Sequence, residues 1–232
     1  MAGQFLDPDN EIDVNGIQEK AVQLQFTRHG EMFSAKNMAT LAENTFLCDA
    51  EKVKADAILT NLESLLDILC IQERLMLVPY DSDADQWPCM KQGTKAHWGL
   101  IFGLALMMPA KNKALKAAEY LDGYTSHLKP PLSSAAKKAI LDDASEIRFL
   151  LMLRQSKSKR IFLFNPKMLA ESNNNLTGYS NNHRHYELFR HEGFVMPKGG
   201  VKAGLKGQLV LLKKREEEIS DDHDDEDQTS VM

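Results

Sequence analysis

Residues 75–106 read LMLVPYDSDADQWPCMKQGTKAHWGLIFGLAL, and this stretch decides the fold. Leu75 to Val78 is a short apolar run that stops at Pro79-Tyr80-Asp81, as a buried strand does at a turn. Asp81 to Thr94 is a polar loop, and His97 to Leu106 is the next apolar strand. Upstream the pattern changes to helical spacing. Ile17, Ala21 and Leu24 recur at that spacing before Gly30, and Ser34 is an N-cap for a helix carrying Met38, Leu41 and Ala42. Ile58, Leu62, Leu65, Leu66 and Leu69 share one face of a longer amphipathic helix. Helices first and strands afterwards predict an α+β domain, with helices packed on a largely antiparallel sheet.

Downstream, residues 110–160 read as a helical insertion on one edge of that sheet. Lys111 to Tyr120 is helical, Pro130-Pro131 breaks the chain, and Ser133-Ser134 opens a helix running towards Leu153. The sheet resumes at Ile161 to Phe164. A loop rich in Asn and His follows, then a strand at Phe194 to Met196, a turn at Gly199-Gly200 and a last strand at Gln208 to Leu212. The domain organisation is therefore a single domain over 1–212, with 213–232 an acidic disordered tail.

Charge is divided unevenly along the chain. The sequence carries 28 Lys and Arg against 33 Asp and Glu. Nine of those acids lie in Glu216 to Met232, which has no Lys or Arg, so the preceding body is +4. A body so weakly basic lacks the footprint of a nucleic-acid binder. No apolar run reaches the length of a membrane span, and the first ten residues lack the pattern of a signal peptide. Cys48, Cys70 and Cys89 have no disulfide or zinc spacing, which points to a reducing, cytoplasmic setting. His183, His185 and His191 fit no metal-ligand spacing and have no cysteine beside them, so no metal and no other cofactor is expected.

His97 is the residue with chemistry to offer. A histidine at a strand start can take a thiol proton and then hold the thiolate as an imidazolium, provided a third group fixes its ring. Asn165, ending the next apolar strand, stands where such an orienter belongs. Cys48 and Cys70 adjoin apolar helical segments and read as inert buried thiols. Cys89 lies in the loop before His97 with no helix N-terminus behind it, so it reads as a groove-lining residue.

The segment with PYD, the PC step and KAHW resembles the region around the catalytic histidine of the actin maturation protease (actin aminopeptidase) family. RHGEMFSAKNMATLA, AESNNNLTGY and PKGGVKAGLKGQLVLL resemble three further blocks of that family, in the same order. The resemblance implies a papain-like cysteine peptidase that removes the acetylated N-terminal residue, Met or Cys, from newly made actin. It makes His97 the general base and Asn165 its orienter, although the family is expected to have an aspartate there. Tyr80, Lys95 and Trp98 would line the substrate groove. Actin is the implied partner, with room for a profilin-like presenter. The family's nucleophile sits in a CGL segment just before an MAG step, and this chain opens on Met1-Ala2-Gly3. The expectation is therefore a domain truncated at its N-terminus, with the base but without the nucleophile. The alternative is a pseudoprotease or actin-binding fragment.

Overall fold

The computed structural model describes residues 2–6, 13–107, 132–155, 160–179 and 193–215. Six strands form one sheet in the order β1-β6-β2-β3-β4-β5, and every neighbouring pair is antiparallel. They are β1 (Cys48–Lys54), β2 (Leu75–Asp81), β3 (Ala96–Met107), β4 (Arg148–Gln155), β5 (Phe162–Phe164) and β6 (Gln208–Lys214). The helices are α1 (Ala2–Leu6), α2 (Val14–Gln23), α3 (Ala35–Thr45), α4 (Asp56–Leu59), α5 (Leu62–Leu65), α6 (Ser134–Asp142), α7 (Pro166–Asn174) and α8 (Gly200–Gly204). The expected α+β class with an antiparallel sheet is what the chain forms.

Alternation along β2 and β3 sends successive side chains to opposite faces, and each face has its own cover. Met76, Val78, Tyr80, Ile101 and Leu104 meet Leu59, Leu62, Leu65, Leu66, Ile140 and Leu169 from α4 to α7 in the larger core. Leu77, Leu100, Val210 and Leu212 meet Leu6 of α1 and Ala35, Ala39 and Ala42 of α3 on the other face. Alanines on α3 let that helix sit close to the strands. Its start is set as the sequence suggests, with Ser34 Oγ accepting from the Asn37 N–H at 3.2 Å.

Several boundaries differ from expectation. The long helix over 58–69 is broken at Thr60-Asn61, where Asn61 caps α5, and α5 widens into a π-helical segment at Leu66–Ile71. The helix opened at Ser133 stops at Asp142; FLLMLR beyond it belongs to β4, which lies between β3 and β5. Residues 110–160 therefore supply an interior strand as well as a helix, which corrects their reading as an edge insertion. A uniformly apolar run carries no period to separate strand from helix, and β4 is such a run. Cys48–Lys54 is an unexpected strand, Phe194 to Met196 is not a strand, and ESNN ends helix α7. The last strand runs on to Lys214, past the expected tail boundary at 213. Residues 216–232, the 183–191 histidines and Lys111 to Tyr120 lie outside the described residues.

Candidate active site

His97 is the second residue of β3, opposite Tyr80 of β2 in the antiparallel register. Its ring is exposed and is held from one side. Nδ1 lies 2.7 Å from the Lys95 carbonyl and 3.1 Å from Ser82 Oγ. A carbonyl can only accept, so Nδ1 carries a proton, and in the neutral ring the lone pair is on Nε2. Nε2 makes no hydrogen bond among the described residues. A base has its reactive nitrogen open and its other nitrogen fixed, and His97 meets both conditions.

The loop that fixes the ring is built around one carboxylate. Asp81 is fully buried, and it accepts from the backbone N–H groups of Lys91 (2.6 Å), Gly93 (2.9 Å) and Lys95 (3.0 Å). A buried charge is tolerable when several donors surround it, and here three backbone amides do so. The Lys95 N–H is thus tied to Asp81 while its carbonyl takes both the Ser82 N–H and His97 Nδ1. Gly93, at φ +91°, passes so close to the Gly178 carbonyl that a Cβ would collide with it. Sequence reasoning missed Asp81, whose partners are backbone groups that no side-chain pattern reveals.

Helix α7 locks this end of the sheet from below. Ser172 Oγ accepts from the Asp81 N–H at 3.0 Å and donates towards the Cys89 and Asp81 carbonyls at 2.7 and 2.9 Å. Asn173 Nδ2 donates to the Pro79 and Gln208 carbonyls at 2.8 and 3.0 Å. Both side chains are fully buried. On the opposite face Trp98 Nε1 donates to the Met32 carbonyl at 3.0 Å, and its ring packs against three separate apolar clusters. At Gly204 a Cβ would run into the Phe33 carbonyl. The GEMFS, PYD–KAHW, ESN and GG-V-AGL-GQ segments, distant in sequence, all meet here.

Asn165 is not part of this meeting. It caps α7, its Oδ1 accepting from the Lys167 and Met168 N–H groups at 2.9 and 3.3 Å. β5 is two strands from β3, and Phe164 pairs through Leu151 with Leu104, seven residues beyond His97. At about 3.3 Å per residue, Asn165 is on the order of 20 Å from the ring along the strand direction alone. The expectation that the two lie on adjacent strands is corrected, and the Lys95 carbonyl is what orients His97.

Of the three residues expected to line a groove, only Lys95 is fully exposed. Tyr80 is fully buried; its hydroxyl donates to Gln155 Oε1 and lies 3.2 Å from the Gln86 carbonyl. Burial raises its pKa above the usual phenol range, with the Asp83 and Cys89 charges adding to the effect. Trp98 is half-buried as a packing residue, while the Lys95 side chain is exposed.

No described thiol hydrogen-bonds to His97. Burial pushes the Cys48 thiol up to about 11 and the Cys70 thiol up to about 12. Cys89 is raised too, by burial first and then by the Asp81 charge. All three therefore hold their protons near neutral pH, which opposes a nucleophilic role. Among the described residues no cluster of His, Cys, Asp or Glu could hold a metal ion, and no helix is long and apolar enough to cross a membrane.

Comparison with known proteins gives this arrangement its family. The family described as "Actin maturation protease-like, C-terminal domain" matches residues 1–105, a range that contains the whole His97 loop. The protein named actin maturation protease from Xenopus tropicalis is 32% identical over 93% of this chain and 67% of its own length. The Danio rerio protein of the same name is 30% identical over 94% of the chain and 68% of its own length. For the Mus musculus protein the figures are 31%, 93% and 58%, so the chain spans under two thirds of that relative. No solved structure matches. The chain belongs to the actin maturation protease family.

Proposed function

We propose that this chain carries the histidine half of a papain-like, thiol-dependent peptidase that removes the acetylated N-terminal residue of actin in the cytoplasm. The observation that carries the reading is the His97 ring, fixed through Nδ1 by the Lys95 carbonyl with Nε2 open. In this role Nε2 takes the proton of an attacking thiol, and the imidazolium then returns it to the leaving amine while an acyl-enzyme forms. Neutral Nδ1–H donation to a carbonyl orients the ring, though it supports the imidazolium less than a carboxylate would. Cys48, Cys70 and Cys89 are poor candidates for the thiol, so the reading assigns it to the CGL segment that the family resemblance puts ahead of Met1. Actin as substrate rests on the printed names of the relatives. A second reading, binding without chemistry, draws on the lack of any described thiol bonded to His97.

The test is mass spectrometry of actin N-terminal peptides after incubation of acetylated actin with three proteins. The chain as it stands should leave the termini unprocessed, and a chain extended through the CGL segment should process them. The extended chain with His97→Ala should lose turnover. Inactivity of the extended chain would favour the binding reading. Activity of the short chain that Cys89→Ser abolishes would make Cys89 the nucleophile and overturn the assignment.

A further inference from the structure

Asn15-Gly16 is the only Asn-Gly pair in the sequence, and it stands in the first turn of α2. Asparagine is among the thermolabile residues, because the backbone nitrogen of the next residue can attack its side-chain carbonyl carbon. Any other residue after it sets a Cβ beside that nitrogen. Glycine leaves the approach open and lets the backbone swing towards the closing geometry.

Local geometry decides whether the attack is available in the folded chain. Asn15 is exposed, and its side-chain amide has no hydrogen-bond partner among the described residues. The Gly16 N–H belongs to the first turn, where no carbonyl lies one turn back to hold it. It also has no partner among the described residues. In a helix interior the same attack would break a backbone hydrogen bond; at Gly16 it breaks none. The turn is held only by its cap, with Asp13 Oδ1 accepting from the Asn15 N–H at 3.0 Å and the Asp13 carbonyl from the Ile17 N–H at 3.1 Å. Other asparagines are restrained differently. Asn44 Nδ2 donates to the Thr40 carbonyl, the Asn61 and Asn165 side chains cap helices, and Asn173 is fully buried.

We propose that Asn15 is a site of spontaneous deamidation that releases the first turn of α2. The Gly16 nitrogen bonds to Asn15 Cγ, and its proton leaves with the side-chain nitrogen as ammonia. Water then opens the cyclic imide. Opening at the side-chain carbonyl gives aspartate, and opening at the main-chain carbonyl gives isoaspartate. A plain carboxylate suits a helix N-terminus. Isoaspartate puts one extra carbon into the main chain and carries Gly16 and Ile17 away from the Asp13 cap. Ile17 is the first α2 residue in the apolar cluster that holds Met32 and Trp98, so the change reaches the neighbour of His97. The site requires neither actin nor catalysis, so it stands or falls apart from the proposed reaction.

The test ages the full chain at mildly alkaline pH and maps its peptides by mass spectrometry, with electron-transfer fragmentation to tell isoaspartate from aspartate. Asn15 should convert before any other described asparagine, with isoaspartate among the products, and Asn15→Gln should lose that signal. Amide exchange at Ile17 and Gln18 should be faster in the aged chain than in the fresh one. In the Asn15→Asp chain, which has the new charge without the extra carbon, it should match the fresh chain. The proposal is overturned if Asn15 stays intact while other described asparagines convert. Unchanged exchange in the aged chain, or equal acceleration in Asn15→Asp, would overturn the release of the turn by isoaspartate.

Discussion

Asn165 precedes the first turn of α7 and Asn173 ends near its last, yet the same residue type acts differently at the two positions. Asn165 is exposed and spends its Oδ1 on the two N–H groups just ahead of it, so its influence is local to the helix start. Asn173 is fully buried and joins β2 to β6 through carbonyls 94 and 35 residues away in sequence. Between the two lie about 12 Å of helix at 1.5 Å per residue. What separates a local cap from an organiser of the site is the sequence distance of its partners and its burial, not the side chain's chemistry. His97 stands between the two: it is exposed and its partners are 2 and 15 residues away, yet Ser82 and the Asp81-centred loop tie it to β2.

Substitutions along this line should follow that division. Asp81→Ala removes one acceptor from three backbone N–H groups in a buried setting, and should cost about 3 kcal/mol or more in urea unfolding. Amide exchange at Lys91, Gly93 and Lys95 should accelerate with it. Retention of their protection would show that the loop is held by something other than Asp81. Asn173→Ala leaves the Pro79 and Gln208 carbonyls without their donor and should cost about 2 kcal/mol by the same measurement. A cost as small as that of a surface substitution would erase the contrast between the two asparagines.

Asn165→Ala should cost about 1 kcal/mol, the ordinary loss of an N-cap, with the His97 ring nitrogen shifts unchanged by NMR. Movement of those shifts would reconnect Asn165 to the site. The smallest stability effect is expected for Ser82→Ala, within about 0.5 kcal/mol. Its proper readout is the Nδ1–H tautomer of His97, which should persist on the Lys95 carbonyl alone. A switch to the other tautomer would make Ser82 the true anchor.

Much of this was open to reading in the sequence. The β2–β3 pair, the Ser34 cap and the position of His97 follow from apolar runs and local side-chain chemistry. Asn165-Pro166 also carried its structural meaning, since Asn before Pro is a helix start with proline in the first turn. β4 was hidden because an apolar run in an interior strand lacks alternation. The burial of Tyr80 and the role of Asp81 could not be read, because Tyr80 packs on Gln155 and Phe164 far along the chain and Asp81 depends on backbone groups that only the folded loop brings near.

Trp98 touches three apolar clusters while bonding to Met32, and Trp87 lies in the same hairpin with 43% of its surface exposed. These are the only two tryptophans in the sequence. Intrinsic fluorescence is therefore a local signal in this protein. Iodide should quench Trp87 first, while the colour of the Trp98 emission follows the packing beside His97. A change of emission on adding a ligand reports on the hairpin that carries the histidine, and a silent titration leaves that corner of the molecule undisturbed.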